Sequence, residues 1–401
     1  MTGFIDRARA ARLMQAAGLD GMVLIDPHSL RWASGADPGV ATLFGRAGAA
    51  LLLVPADPLL PMAAVVGDLQ AAAFQAASGI DDVRAHRIWV DTARFADGAL
   101  LVTGSTPRPA TFDAAAALAQ FAGLLAAHGL ASARLGIEHA FLPVADAELF
   151  NAACPQVRWQ NVSPLVARLR AIKQPQEAAW LALAARAAEA GVAALLLAVR
   201  PGMQTAAMAA MWREAALAEA ARLGAPGVVE TWAYIAVGTD GFAPGGPVAT
   251  GDLIKIDVGC VVAGYSSDSA RTAVLGRPHP EASRVHAALL AAFEAGEALL
   301  RPGTRFSEIH AATARTMHQA GFPFYARGHF GHSLGAGGFN EHWPFMAADA
   351  DAVLEPGMVV AFETPWYVRG LGGFMIEDQY AIPQHGQARP EWRLPRGLVE
   401  L

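Results

Sequence analysis

The chain has 401 residues, 54% of them hydrophobic and 16% charged, with a formal net charge of −6. This length suggests two or more domains, and the apolar content supplies large cores, so a disordered chain is excluded. No basic stripe accompanies the mildly acidic balance, which argues against a nucleic-acid partner.

The N-terminus, MTGFIDRARA, carries charge where a secretory signal needs an apolar core. The most apolar stretch, 47–66, is broken by Asp57 and three prolines, and the run 192–199 is followed by Arg200. A bilayer span needs about 20 mostly apolar residues, so no membrane segment is expected and the location is expected to be cytoplasmic. Cys154 and Cys260 form no CxxC and read as reduced thiols.

In chain order, residues 5–18 read as an amphipathic helix closed by Gly18. GMVLI (21–25) is a short strand, DPHS (26–29) a turn, and AALLLVP (49–55) a buried strand. A further strand-and-loop pattern starts at Arg134. This alternation predicts an α/β domain over 1–165. From 166 a short helix breaks at Lys173–Pro175, and a long helix follows with proline in its first turn, where the missing N–H costs nothing. Helices are expected at about 205–222, 280–300 and 306–320, with strands and glycine turns over 228–276 and 322–385, giving a second, α+β domain over 166–401.

The chemistry concentrates in that second domain. In GDLIKIDVGCVVAGYSSDSARTAVLG (251–276), Asp257 ends an apolar strand and Asp268 follows beyond a Gly-Tyr turn. Two carboxylates on neighbouring hairpin strands can share a face, where they repel unless a cation sits between them. Each aspartate alone reads equally as a turn residue or a surface charge. RGHFGHSLGAGGFNEHWPF (327–345) interleaves three histidines with glycines. VVAFE ends in Glu363, and GGFMIED places Glu377 inside an apolar strand. Burying such carboxylates is costly without a partner. Four carboxylates and one imidazole make a hard, oxygen-rich donor set, suited to two Mn²⁺, Co²⁺ or Fe²⁺ ions, with Zn²⁺ also admissible.

These segments resemble the pita-bread metallopeptidases: methionine aminopeptidases, Xaa-Pro aminopeptidases and prolidases, with creatinase as a metal-free relative. IDVGCVVAGYSSDSART, the GHS at 331–333, PGMVVAFETP and GGFMIED carry the likeness in the catalytic half. RLRAIKQPQEAAWLALAA resembles its opening, and RLMQAAGLDGMVLIDPHSLRWASG the start of the N-terminal domain. The resemblance implies a creatinase-like α/β N-terminal domain plus an α+β pita-bread catalytic domain. It implies Asp257 on one metal, Asp268 and Glu377 bridging two, and His332 and Glu363 on the second, with manganese the first choice of ion. The metals of such sites lie about 3.5–4 Å apart around a water that acts as nucleophile. Glu363 would also shuttle the proton to the leaving amine. A homodimer and a small peptide or small-molecule substrate are implied as well, while charge and hydropathy lead to the expectation of no nucleic-acid or membrane partner.

The departures fall on the substrate side. The loop 238–252 lacks the histidine common in the family. The position four before His332 is Gly328, with His329 one step off. Phe339 stands seven after it, although Glu341, His342 and Pro344 suggest a two-residue insertion. An arginine expected two residues before Glu377 is Met375. His329 and His342 are therefore the candidate catalytic histidines beside Glu363, and Trp343, Phe345, Trp366 and Tyr367 the candidate pocket wall. Xaa-Pro cleavage is the expected activity. Chemistry on a small non-peptide substrate, or ligand binding without turnover, are the alternatives.

Overall fold

The computed structural model describes residues 3–102, 107–337 and 341–401; Phe339 lies outside them. The chain forms two compact units, Met1–Arg170 and Ala171–Leu401.

Among the described residues, the first unit is built on a six-stranded mixed sheet in the order Asp82–His86, Ala63–Gly67, Leu51–Pro55, Gly21–Leu24, Arg134–Ile137, Arg158–Asn161. Its central strands are apolar at every position because both faces are covered. Met22, Leu24, Leu52 and Val54 enter one core. Val23, Leu51 and Leu53 enter the other. DPHS is a helix start rather than a turn: the Asp26 side chain accepts from the His28 N–H, Pro27 occupies the first helical turn, and the helix runs Pro27–Ser34 to Gly35 in the left-handed region.

The second unit opens with Pro175–Ala198, a helix begun by a capping box between Gln174 and Glu177. By length and composition this helix would qualify as a membrane span, which the shorter apolar run 192–199 does not suggest. Its surroundings are those of a core helix. The Tyr265 hydroxyl donates to Glu177 at 2.8 Å, and the Trp392 indole N–H to the Ala185 carbonyl at 2.8 Å. Gly191 lies so close to Thr205–Arg222 that a Cβ there would sit 2.6 Å from the Trp212 carbonyl oxygen.

A second helix pair, Pro280–Glu297 and Phe306–Gln319, packs together. These helices pack on a sheet ordered Tyr265–Ser266, Leu253–Val262, Ser269–Val274, Glu377–Ala381, Val359–Glu363, His329–Ser333, His342–Ala347, with Glu230–Val237 beside Leu253–Val262. Val360, Phe362 and Tyr380 point into the apolar core with Leu289, Phe293 and Ile309. Strand alternation then sends Ala361, Glu363, Glu377 and Gln379 to the opposite face. This is the two-domain architecture the resemblance implied, a creatinase-like unit followed by a pita-bread unit.

Candidate metal centre

Register assembles the site. Asp257 lies opposite Ala270, Ala270 opposite Glu377, and Glu377 opposite Glu363, so one row crosses four strands. Ala270 is small, leaving space between the carboxylates, and Asp268 precedes it by two residues on the same face. His332 lies opposite Ala361, one pleat from Glu363. The strand bulges there, and Gly331 has φ of 145° with no room for a Cβ, which would meet the Ala361 carbonyl oxygen at 2.2 Å. The hairpin that returns the chain from Asp257 to Asp268 turns on Ala263 and Gly264, at φ 53° and 84°.

All five residues are buried. One ligand atom each from Asp268, His332 and Glu377 lie within 4.8 Å of one another. His332 Nε2 is 3.6 Å from Asp268 Oδ2 and 4.0 Å from Glu377 Oε1, while its Nδ1 faces the Ser333 carbonyl at 3.3 Å. A proton on Nδ1 leaves the Nε2 lone pair turned to the carboxylates. Burial pushes the His332 pKa down to about 4, so the ring is neutral at neutral pH. Burial, and then repulsion from Asp268, Glu363 and Asp257, raises the Glu377 pKa well above the carboxylate range.

The other two carboxylates are each held by a cation. Lys255 Nζ is 3.0 Å from Asp257 Oδ2 and 5.6 Å from the centre of the Tyr367 ring. Arg327 Nη2 donates to Glu363 Oε1 at 2.6 Å and its Nε to the His329 carbonyl at 2.9 Å. Burial raises the Asp257 pKa, with Lys255 opposing the shift. Burial is the largest influence on Lys255 and works against its charge, but Asp257, Tyr367 and Glu377 together outweigh it and the net shift is upward; Arg327 is likewise raised against burial by Glu363, Tyr325 and Tyr367 together.

His329 reaches the edge of the row, its Nδ1 3.7 Å from Glu363 Oε1 and its Nε2 3.5 Å from Glu341 Oε2. His342 lies opposite Ser333 in register, one residue along from His332. Of the four aromatic residues, Phe345 tilts against His329 at 5.3 Å and Tyr367 faces Lys255. Trp366 packs with Phe322 and Tyr325, and Trp343 against the core. Sequence reasoning passed over Lys255 and Arg327. The signal was present for Lys255, a charge two residues before Asp257 and therefore on its face.

The sequence model for the Creatinase/Prolidase N-terminal domain matches residues 7–172, and that for metallopeptidase family M24 matches 179–384. The chain belongs to metallopeptidase family M24. Among M24 relatives, it is 29% identical to the uncharacterized peptidase YqhT of Bacillus subtilis over 270 residues, 67% of this chain and 75% of that protein. It is 27% identical to an Xaa-Pro dipeptidase of Pyrococcus horikoshii over 257 residues, 64% and 72% of the two chains. Dipeptidase PepE from Mycobacterium ulcerans superposes with a TM-score of 0.78 at 24% identity, covering 99% of both chains. Xaa-Pro dipeptidase from Bacillus anthracis also gives 0.78, at 22% identity, over 98% of this chain and 99% of that one. At these identities the structural likeness speaks for the fold.

As an M24 member the chain is a hydrolase of the metallopeptidase kind, with peptides as its substrate class and divalent ions as its cofactor class. The residues present fit such ions. Glu377 Oε2 is buried with no hydrogen-bond partner among the described residues, and a neutral imidazole lies with it and a second carboxylate inside a span a cation bridges.

Proposed function

We propose that this chain cleaves Xaa-Pro bonds in dipeptides or short peptides. The observation that carries the reading is the convergence of Asp268, His332 and Glu377, flanked in the same strand row by Asp257 and Glu363. These five side chains would hold two divalent ions, with Asp268 and Glu377 shared. When bound, such ions supply Lewis acidity toward an amide carbonyl and make a water acidic enough to attack at neutral pH.

The protein's own groups handle the proton and the substrate. Glu363 accepts the proton of the attacking water and passes it to the leaving nitrogen. Arg327, bonded to Glu363 Oε1, pairs with that carboxylate and fixes its plane. His329, beside Glu363, and His342 supply hydrogen bonds to the substrate. Phe345 and Tyr367 give a compact apolar surface for a proline ring. Manganese as the ion, a homodimer and a cytoplasmic location complete the proposal. The first is supported by the hard donor set and the homodimer by the family resemblance.

The test is hydrolysis of a panel of Xaa-Pro dipeptides and longer Xaa-Pro peptides, with manganese added and with chelator as control. Chelator-sensitive cleavage is expected, and the length preference distinguishes dipeptidase from aminopeptidase. A protein that binds two ions and cleaves none of the panel would assign the site to non-peptide chemistry.

A further inference from the structure

We propose that Phe242 is a specificity-determining residue, the outer wall of a subsite that selects a bulky apolar side chain on the residue before the scissile bond. The inference rests on the Xaa-Pro reading above and adds a residue that reading does not use.

The loop that carries Phe242 is tied down on both sides. The Val237 N–H donates to the Pro244 carbonyl and the Gly238 N–H to the Leu253 carbonyl, each at 3.0 Å, while the Gly370 N–H donates to the Thr239 carbonyl at 2.9 Å. Between these bonds the loop lies against the hairpin of Trp366–Val368 and Gly372–Phe374. The contact is glycine on glycine: a Cβ on Gly373 would sit 2.3 Å from the Gly241 carbonyl oxygen. Gly373 lies opposite Tyr367 in register. The residue after Gly241 is therefore delivered to Tyr367, and the Phe242 ring meets that ring edge to face, at 5.4 Å and 81°.

Phe242 is nevertheless 76% exposed. A lone exposed ring is ordinary on a protein surface; this one is set apart by its neighbour. Tyr367 covers Lys255, which contacts Asp257 at 3.0 Å. Burial raises the pKa of the Tyr367 phenol, and the charges of Lys255, Asp257, Glu363 and Arg327 all act on it, so the ring stands between the two ends of the carboxylate row. In the proposed reaction Glu363 gives its proton to the leaving nitrogen, which puts the proline at the Glu363 end. The residue before it then runs past Tyr367 toward Asp257, where Phe242 extends the aromatic surface outward. Two rings at right angles make a notch lined with carbon. A leucine or phenylalanine side chain in that notch takes the exposed ring out of water, and glycine leaves it wet.

The experiment measures kcat and KM for Gly-Pro, Ala-Pro, Leu-Pro, Phe-Pro and Lys-Pro with manganous chloride added. Wild-type kcat/KM is expected to be at least about tenfold higher for Leu-Pro and Phe-Pro than for Gly-Pro. Phe242→Ala should cut that ratio to about threefold or less, through KM of the large substrates, because the ring touches the side chain and not the reacting atoms. Phe242→Asp should turn the preference from Leu-Pro toward Lys-Pro, a reversal that a merely structural ring would not produce. A flat or inverted series in wild type, a ratio unchanged in Phe242→Ala, or a Leu-Pro to Lys-Pro ratio unchanged in Phe242→Asp overturns the proposal alone. Protein that cleaves none of the five overturns it together with the Xaa-Pro reading. Circular dichroism checks that each variant is folded. Should Phe242→Ala fail to fold, Phe242→Asp decides.

Discussion

Replacing Arg271 by Met should destabilise the second unit by about 4 kcal/mol. Arg271 is 1% exposed at its side chain and pairs with Asp378, fully buried, at 2.8 Å. Its guanidinium also donates to the carbonyls of Ala270 and Glu377 at 2.8 and 2.9 Å and to those of Leu394 and Pro395 at 2.9 and 3.0 Å. One side chain thus ties the Glu377 strand to the C-terminal segment, with the Trp392 ring 5.1 Å beneath it. Removing one partner of a buried pair costs about 3–5 kcal/mol, because the other is left charged and dry. Arg396 still donates to Asp378 at 2.5 Å, which holds the cost below the top of that range, while the orphaned carbonyls keep it above the bottom. Arg271→Lys retains the charge and loses the fork, and about half the loss is expected. Urea unfolding followed by tryptophan fluorescence measures both, with the m-value checking that the unfolded states match. A midpoint shift worth less than about 1 kcal/mol in Arg271→Met would refute the reasoning, since it would mean the network is no better than a surface pair.

Three further outcomes are expected. Glu363→Gln should leave the fold intact and lower kcat by about 10²–10⁴, the usual worth of a general base; near-normal kcat would remove its proton-transfer role. Asp268→Asn should retain fewer than two ions per chain by elemental analysis after dialysis, because a shared carboxylate needs both charged oxygens, and full retention would count against the assignment. His286, whose pKa burial pushes down to about 4 from 6.5, should make stability fall with acidity. The unfolded chain takes up a proton below its ordinary pKa while the native ring resists, so the loss runs between the two values and is absent above them. It should amount to about 2 kcal/mol between pH 8 and pH 5, and His286→Leu should flatten the slope by that amount; parallel slopes would show that another group carries it.

The fold was legible where burial is two-sided or where punctuation is strong. GMVL and LLLVP read as strands because both faces of that sheet are covered, and Gln174-Pro175-Gln176-Glu177 announces the long helix through its capping chemistry. Alanine hid the rest. Ala71–Ser78 and Ala114–Ala127 carry so much alanine on every face that the apolar stripe marking a surface helix is blurred. Pro27–Ser34 was concealed differently: its start, an aspartate followed by proline, is also the commonest opening of a turn, and only the next two turns of chain decide between them.

At the site, alternation within single strands was readable and contacts between strands were not. VVAFE and IKID each place a carboxylate on the face opposite their apolar neighbours, so their burial cost already called for a cation. The sequence spacing does not say which cation answers it. The structure shows two situations in one row: a cationic side chain for Asp257 and Glu363, and for Glu377 an oxygen with no donor among the described residues. Met375 bears on this. Its backbone N–H and carbonyl both bond Thr272 Oγ1, and Thr272 lies opposite Lys255 in register. A positive charge thus stands two residues from the row, at Lys255 on one side of Thr272, where the resemblance led us to expect an arginine on the other, at position 375. The arginine missing at position 375 is visible in one strand, whereas the lysine that stands two residues from Asp257, opposite the threonine that holds the Met375 backbone, is seen as its near neighbour only when three strands are read together.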